Sequence, residues 1–445
     1  MAFKSLQQKR QFVNGKYIIG IDPSKIKHQA AVLDTNGIQR GKAFTFKTTH
    51  QGYHHDLWKR LDQIIPSDVD NDHIVFAVET ACNLWQTLAF YLKAKGYTVL
   101  LVSPLSTKHT RPVMNHDFSK TDPKDALIIA NNARDGYFDY YQEFTPLVNA
   151  MHRLSITYCK LNKNLTQNKQ RLRSLVEQIF PEFITVLPPD TKTAIYLFKT
   201  YMTPQDFLNI DICKEAEQIK RISRHNHGIK TLLRLKEQAE HSIGIQLKNE
   251  EIIAERLSLT AWITMIETIE GQMESIIEQL ITLAQQTPYW DVLISFKGKG
   301  VSEKLAALFI AETRDLDQYN HHKKIEKFAG YNLRQAQSGN YVGPRRMSHI
   351  GNKRLSWIIY KMTEETTKYL PEVRMKYLRR QMNTKSKYRK NIIACSSPLL
   401  NLIVALVKQR RPYELREEKV KKLQQLEQKY QAYKQSKKSK RKKAA

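Results

Sequence analysis

The chain has 445 residues, room for two to four domains at roughly 100–200 residues each, and a core large enough to dispense with disulfide staples. Lysine and arginine total 72 against 43 acidic residues, and a formal charge of +29 points to a nucleic-acid partner ahead of acidic small molecules or a membrane surface. The four cysteines, Cys82, Cys159, Cys213 and Cys395, form no CxxC pair, and no apolar leader or apolar run of about 18 residues occurs, so the expectation is a soluble cytoplasmic protein without a disulfide framework or cysteine zinc site.

In chain order, YIIGID over Tyr17 to Asp22 is an apolar strand, His28 to Asp34 alternates, Asn36-Gly37 makes a turn, and Lys42 to Lys47 is a third strand-like run. Short turns between three strands predict an antiparallel meander. A helical pattern over Gly52 to Ile65, a strand from His73 to Glu79, a helix over Leu84 to Lys95 and a strand from Tyr97 to Val102 follow. That order predicts an α/β domain with a mixed sheet, here given the bounds 10–147.

Beyond it the apolar spacing changes to alternating steps of four and three. One ladder runs Leu154, Tyr158, Leu161, Leu165, Leu172, Leu175, Ile179, with Asn168 in its gap; a second runs Leu259, Trp262, Ile266, Ile269, Met273, Ile276, Leu280, Leu283. These heptads predict a helical coiled-coil insert over 148–286, with shorter, more polar helices at 190–257. Two pairings are open. The ladders close on each other as a hairpin, or at least one dimerises the protein, in which case Leu259 to Leu283 pairs with another subunit and buries Trp262 and Ile266 only in the oligomer. Residues 287–410 read as an α-rich domain, with FKGKGV opening a helix from Ser302 to Thr313. The tail 411–445 reads as a charged helix fraying into disorder; over 408–443 it carries fifteen basic and four acidic residues. Arg374 to Lys390 adds eight basic residues and no acid. A solvated surface explains any single charge run, but two in so basic a chain favour phosphate contacts.

Three places carry carboxylates suited to phosphodiester chemistry, for which Mg²⁺ needs several hard oxygen ligands at one spot. Asp22 ends YIIGID, Glu79 ends HIVFAVE, and Asp122 and Asp125 in TDPKDA stand three apart on one helical face. Each also has an ordinary reading. Asp22-Pro23 starts a turn, Glu79 is a solvated strand end, and Asp122 as N-cap with Pro123 at N1 and Asp125 at N3 is a good helix start. No P-loop, GxSxG or dinucleotide fingerprint occurs, so no nucleotide cofactor is expected. The pairs His54-His55 and His321-His322 read as surface.

The meander with IGID, the later AVET and TDPKDA, then LISFKGKGVSEKLAALFIAET, KKIEKFAGYNLRQAQSGN and MSHIGNKRL, resemble the DEDD transposases of insertion sequences, relatives of the pilin-gene DNA invertase. The resemblance covers roughly 15–140 and 287–370. It implies a RuvC-like, RNase H-fold catalytic domain followed by a C-terminal transposase domain. It also implies that Asp22, Glu79, Asp122 and Asp125 bind the metal and that Ser338 is the nucleophile, forming a phosphoserine link to DNA. A structured guide RNA and assemblies of dimers come with it. From the residues alone Ser338 reads as a turn serine, with Ser348 as the second candidate. Lys124, Lys297, Lys299, Arg345, Arg346, Lys353, Arg354, Arg379 and Arg380 are the expected nucleic-acid contacts. A metal-dependent nuclease or junction resolvase using water, and a nucleic-acid-binding protein with structural acids, are the competing functions.

Overall fold

The computed structural model describes residues 2–81, 83–115, 121–339, 341–383 and 387–444; Cys82, Lys120 and Lys385 lie outside them. The chain divides into two compact units, Met1–Glu143 and Phe144–Ala445.

The first unit opens with a helix that its polar sequence concealed, α1 (Ala2–Val13). Then come β1 (Tyr17–Asp22), β2 (Lys27–Leu33), β3 (Gln39–Lys47), a π-helical turn at Gly52–Asp56 running into α2 (Leu57–Leu61), and β4 (Ile74–Glu79). α3 (Leu84–Ala94), β5 (Thr98–Val102), α4 (Pro104–Asn115), α5 (Asp122–Arg134) and the two-residue β6 (Asp139–Tyr140) complete it. The sheet order is β3-β2-β1-β4-β5-β6. β1, β2 and β3 pair antiparallel, as the meander predicts, while β4 runs parallel to β1 and β5 parallel to β4. The β2–β3 turn is tied by the buried Asp34 carboxylate, which accepts N–H bonds from Asn36 and Ile38 at 2.9 Å each.

Alternation sorts β1 between two cores. Ile19 and Ile21 join Leu57, Leu61, Leu88 and Leu92 on one face; Ile18 joins Ile129, Ala130 and Ala133 of α5 on the other. Gly20 is required where α5 crosses, because a Cβ there would stand 2.2 Å from the Ala126 carbonyl and 2.5 Å from the Ala130 nitrogen.

The second unit begins with α6 (Pro146–Ile179). Short helices α7 (Phe183–Val186), α8 (Lys192–Phe198), α9 (Pro204–Leu208), α10 (Ile212–Ile222) and α11 (Ile229–Glu240) lead into the long α12 (Asn249–Ala284). α13 (Trp290–Ile294), α14 (Glu303–Thr313) and α15 (His322–Phe328) follow. Four two-residue strands come next, β7 (Leu333–Arg334), β8 (Gln337–Ser338), β9 (Tyr341–Val342) and β10 (Arg346–Met347), and then α16 (Lys353–Tyr369), α17 (Pro371–Asn383), α18 (Tyr388–Gln409) and α19 (Glu417–Ala444).

The two heptad ladders close on each other as an antiparallel hairpin. Leu172, Leu175 and Ile179 share one core with Leu259, Ile263 and Ile266, while Met151 and Tyr158 share the other with Met273, Leu280 and Ala284. The expectation that Ile266 and Trp262 are buried only in an oligomer is corrected: within one chain Ile266 is fully buried, and Trp262 is half-buried beneath the Arg171 guanidinium, 4.9 Å from the ring centre. A heptad specifies a buried face and not the identity of what buries it. The tail, expected to fray, is helical to Ala444; α19 packs on α17, and Arg374 pairs with Glu427. Among the described residues one helix, α18, is long and apolar enough to cross a membrane, but Cys395, Leu399, Leu400 and Ile403 bury it in the core of this unit.

Candidate active site

The register sets where the acids fall. β1 and β4 run side by side with Ile21 opposite Val78, so Asp22 and Glu79 are the next residues out on neighbouring strands, both half-buried at one edge of the sheet. α5 descends antiparallel to β1: Ile18 packs near Ala130 and Ala133, and Gly20 near Ala126. Its first turn, carrying exposed Asp122 and buried Asp125, therefore lies at the end where Asp22 stands.

The helix-cap reading of Asp122 needs adjustment. Thr121, extended at φ −134° and ψ 141°, occupies the N-cap position, and no side chain makes the capping bond. Asp122 and Asp125 sit in the first turn, where negative charge suits the helix dipole. Asp125 has a partner that the sequence concealed. From α4, Arg111 donates through Nε and Nη2 to Asp125 Oδ1 at 2.9 and 2.7 Å, with the carboxylate almost wholly buried. Among the described residues no three acidic, histidine or cysteine side chains close around a point where a metal would sit. The donor set nonetheless fits a hard divalent cation, being all carboxylate oxygen, and the Arg111 guanidinium already shows a positive charge held at that edge.

Behind Asp22, the fully buried His28 fixes the chain leaving β1. Its Nδ1 accepts the Ser24 N–H at 3.1 Å, so Nε2 carries the proton and donates to the Tyr53 hydroxyl at 2.8 Å. Burial pulls its pKa down to about 4, and the ring is neutral. Nothing in the alternation of β2 distinguishes this histidine from a surface one.

In the second unit Ser338 is exposed, paired with Tyr341 across a two-residue ladder whose turn includes Gly339 at φ +54°. Ser348, half-buried, donates to Asn332 Oδ1 at 2.5 Å. Arg345 donates to Gln335 Oε1 at 3.2 Å, Arg346 lies exposed on β10, and Lys353 donates to the His349 carbonyl. Arg354 turns inward, its Nε donating to Glu312 Oε1 at 2.8 Å. Glu312, fully buried in α14, also accepts from Ser155 of α6 at 2.8 Å and from Asn352 Nδ2, the N-cap of α16, at 2.6 Å. Burial pushes this carboxyl up, but those bonds outweigh it and hold its pKa below the ordinary value.

Lys297 pairs with Glu303 at 2.6 Å, and Lys299 lies over the Tyr413 ring. Between them Gly298 takes φ +77°, and Gly300, at φ +105°, packs where a Cβ would meet the α16 backbone at 2.6 Å, so this GxG is a packed turn. Arg379 is exposed, whereas Arg380 donates to Asn391 at 3.2 Å; Lys124 is half-buried on α5.

An antiparallel meander extended by two parallel strands, with acids at the ends of β1 and β4 and at the start of the helix packed behind β1, defines an RNase H-like domain. Residues 19–181 match the transposase family DEDD_Tnp_IS110, and residues 296–378 match the transposase IS116/IS110/IS902 family. The chain resembles the DEDD transposases of the IS110 group, DNA-processing enzymes with a RuvC-like domain. Among solved structures, Thermus thermophilus RuvC, alone and in complex with a Holliday junction substrate, aligns at 16% identity over 28% of this chain and 99% of that one, with a TM-score of 0.21. No curated protein matches the sequence. Nuclease domains of the DEDD and RuvC-like kind typically use divalent metals.

Proposed function

We propose that the protein is an RNA-guided transposase that cuts and rejoins DNA by serine transesterification assisted by Mg²⁺. The observation that carries this reading is the placement of Asp22, Glu79, Asp122 and Asp125 at one end of the RNase H-like sheet, in a chain whose second unit matches a transposase family. Asp22, Glu79, Asp122 and Asp125 are the residues that would hold Mg²⁺, and the chemistry such an ion supplies at a phosphodiester is neutralisation of oxygen charge and a lowered pKa for a hydroxyl.

Ser338 supplies the nucleophile. Its position on an exposed hairpin leaves Oγ accessible to a large substrate, and exposed Arg345 and Arg346 can hold phosphate oxygens through charge-assisted bonds. An Oγ–P bond forms as the P–O bond to one deoxyribose breaks; serine gives up its proton and the departing sugar oxygen takes one. The linkage remains an ester, so a second sugar hydroxyl can reverse the exchange without ATP. The guide RNA and assembly as dimers complete the reading. They are supported by the family resemblance and by the charge of +29.

The test is a denaturation-resistant protein–DNA adduct in the presence of guide RNA and Mg²⁺. Wild type should form it, and Ser338→Ala should bind DNA yet form no adduct and no recombinant product. An adduct mapping to Ser348 transfers the role to that residue, and metal-dependent cleavage with no adduct selects the resolvase-like reaction with water.

A further inference from the structure

Helix α4 is attached to its unit in an unusual way. Among the described residues it contributes no side chain to either apolar core, and Leu105 and Val113 face solvent, 42% and 73% exposed. The face it lays on α5 is Thr107, Thr110 and Arg111, residues three and four apart on one side of a helix. Thr110 donates to Asn132 Oδ1 at 2.8 Å, and Arg111 makes the ion pair with Asp125. The remaining polar groups fail to pair: Thr107 Oγ1 and Asn132 Nδ2 are buried without a hydrogen-bond partner. Each such orphan costs about 1–3 kcal/mol, so this interface loses at two points. Pro112 adds a missing backbone donor within the helix.

We propose that Arg111 is a displaceable resident cation of the acidic edge. Its guanidinium neutralises Asp125 until a divalent ion takes that carboxylate, and α4, held mainly by this pair, then loosens from α5. The inference rests on reading the four acids as metal ligands. The physical ground is that a guanidinium fixed at 2.7 Å from a buried carboxylate oxygen and a divalent cation on the same carboxylate repel each other in a low-dielectric setting, so the two compete for it. A purely structural arginine would be locked by bonds to several partners, as Arg354 and its neighbours are around Glu312. The interface of α4 supplies unpaired polar groups instead.

The experiment uses the full chain with Mn²⁺ alone as probe, followed by the electron paramagnetic resonance of free Mn²⁺. Arg111→Gln should bind Mn²⁺ about tenfold more tightly than wild type, a difference of ~1.4 kcal/mol, whereas Asp22→Asn should bind it more weakly. In the wild type, which avoids any question of misfolding, saturating Mn²⁺ should speed amide hydrogen exchange across residues 104–111 and not in β1 or β4. Arg111→Gln affinity equal to or below wild type, or α4 exchange unchanged or slowed by Mn²⁺, overturns the displacement while Asp22→Asn still reports a metal site. If Asp22→Asn and Asp125→Asn both bind Mn²⁺ like wild type, the metal-ligand reading itself falls and the displacement with it.

Discussion

Two of the buried carboxylates paired with arginine, Glu312 and Asp125, are surrounded in opposite ways. Glu312 is closed in by three donors from two elements: Ser155 of α6, and Asn352 and Arg354 at the start of α16, donate to it at 2.6 to 2.8 Å, amid the larger apolar cluster of the second unit. The Asp125 carboxylate accepts two bonds from one group, the Arg111 guanidinium, across an interface that also holds the orphaned Thr107 Oγ1 and Asn132 Nδ2. A buried charge supported by several donors ties elements together, whereas one matched by a single cation depends on that one partner. The same kind of ion pair is thus enclosed by a hydrogen-bond network in one unit and stands beside unpaired polar groups in the other.

The largest expected effect breaks the Glu312 network. Glu312→Ala leaves the Arg354 guanidinium without its carboxylate and should lower stability by ~3–5 kcal/mol, read as a shift in urea midpoint. Asp125→Asn should cost markedly less, and equal losses for the two would mean that the two ion pairs tie their elements equally. Next, Asp22→Asn should reduce DNA cleavage roughly a hundredfold, the scale of losing one key electrostatic group, with the urea midpoint close to wild type.

The third effect is pH-dependent and belongs to the first unit. His28 titrates near 4 in the fold against 6.5 ordinarily, so between those values the unfolded chain takes up a proton that the folded chain refuses. Its neutral state therefore supports the fold fully above about pH 6.5, and that support is lost as pH falls toward 4, by ~2 kcal/mol. A His28→Gln variant should lack this part of the acid limb in pH-resolved melting. The smallest effect returns to the Glu312 network: Ser155→Ala removes one neutral donor to Glu312 and should cost ~1 kcal/mol, so a loss matching Glu312→Ala would mean that the network does not share its load.

Much of the first unit was legible because its strands obey the period of two and its turns carry Asn36-Gly37 and Gly96. The acids at the ends of β1 and β4 and the start of α5 were legible as well, since a carboxylate closing an apolar run stands out against its cost of burial. Helix α1 was not, its residues being too polar to show a face against the sheet. Nor were His28, Arg111 and Glu312. Glu312 sits in the apolar run ALFIAET, a signal that some partner must exist, yet its donors lie 157 and 40 residues away in the chain.

The order of the sequence by itself determined the meander, the two ladders and the spacing of the acids, because these depend on local periodicity and on residue chemistry at element ends. Only the tertiary structure decided that the ladders bury each other, that Arg354 faces Glu312 instead of solvent, and that Arg111 rests on Asp125. The reason is physical. A pattern along the chain specifies which face is apolar or charged, whereas the choice of partner is made by packing among segments distant in sequence, where desolvation makes one hydrogen-bonded arrangement far better than the alternatives.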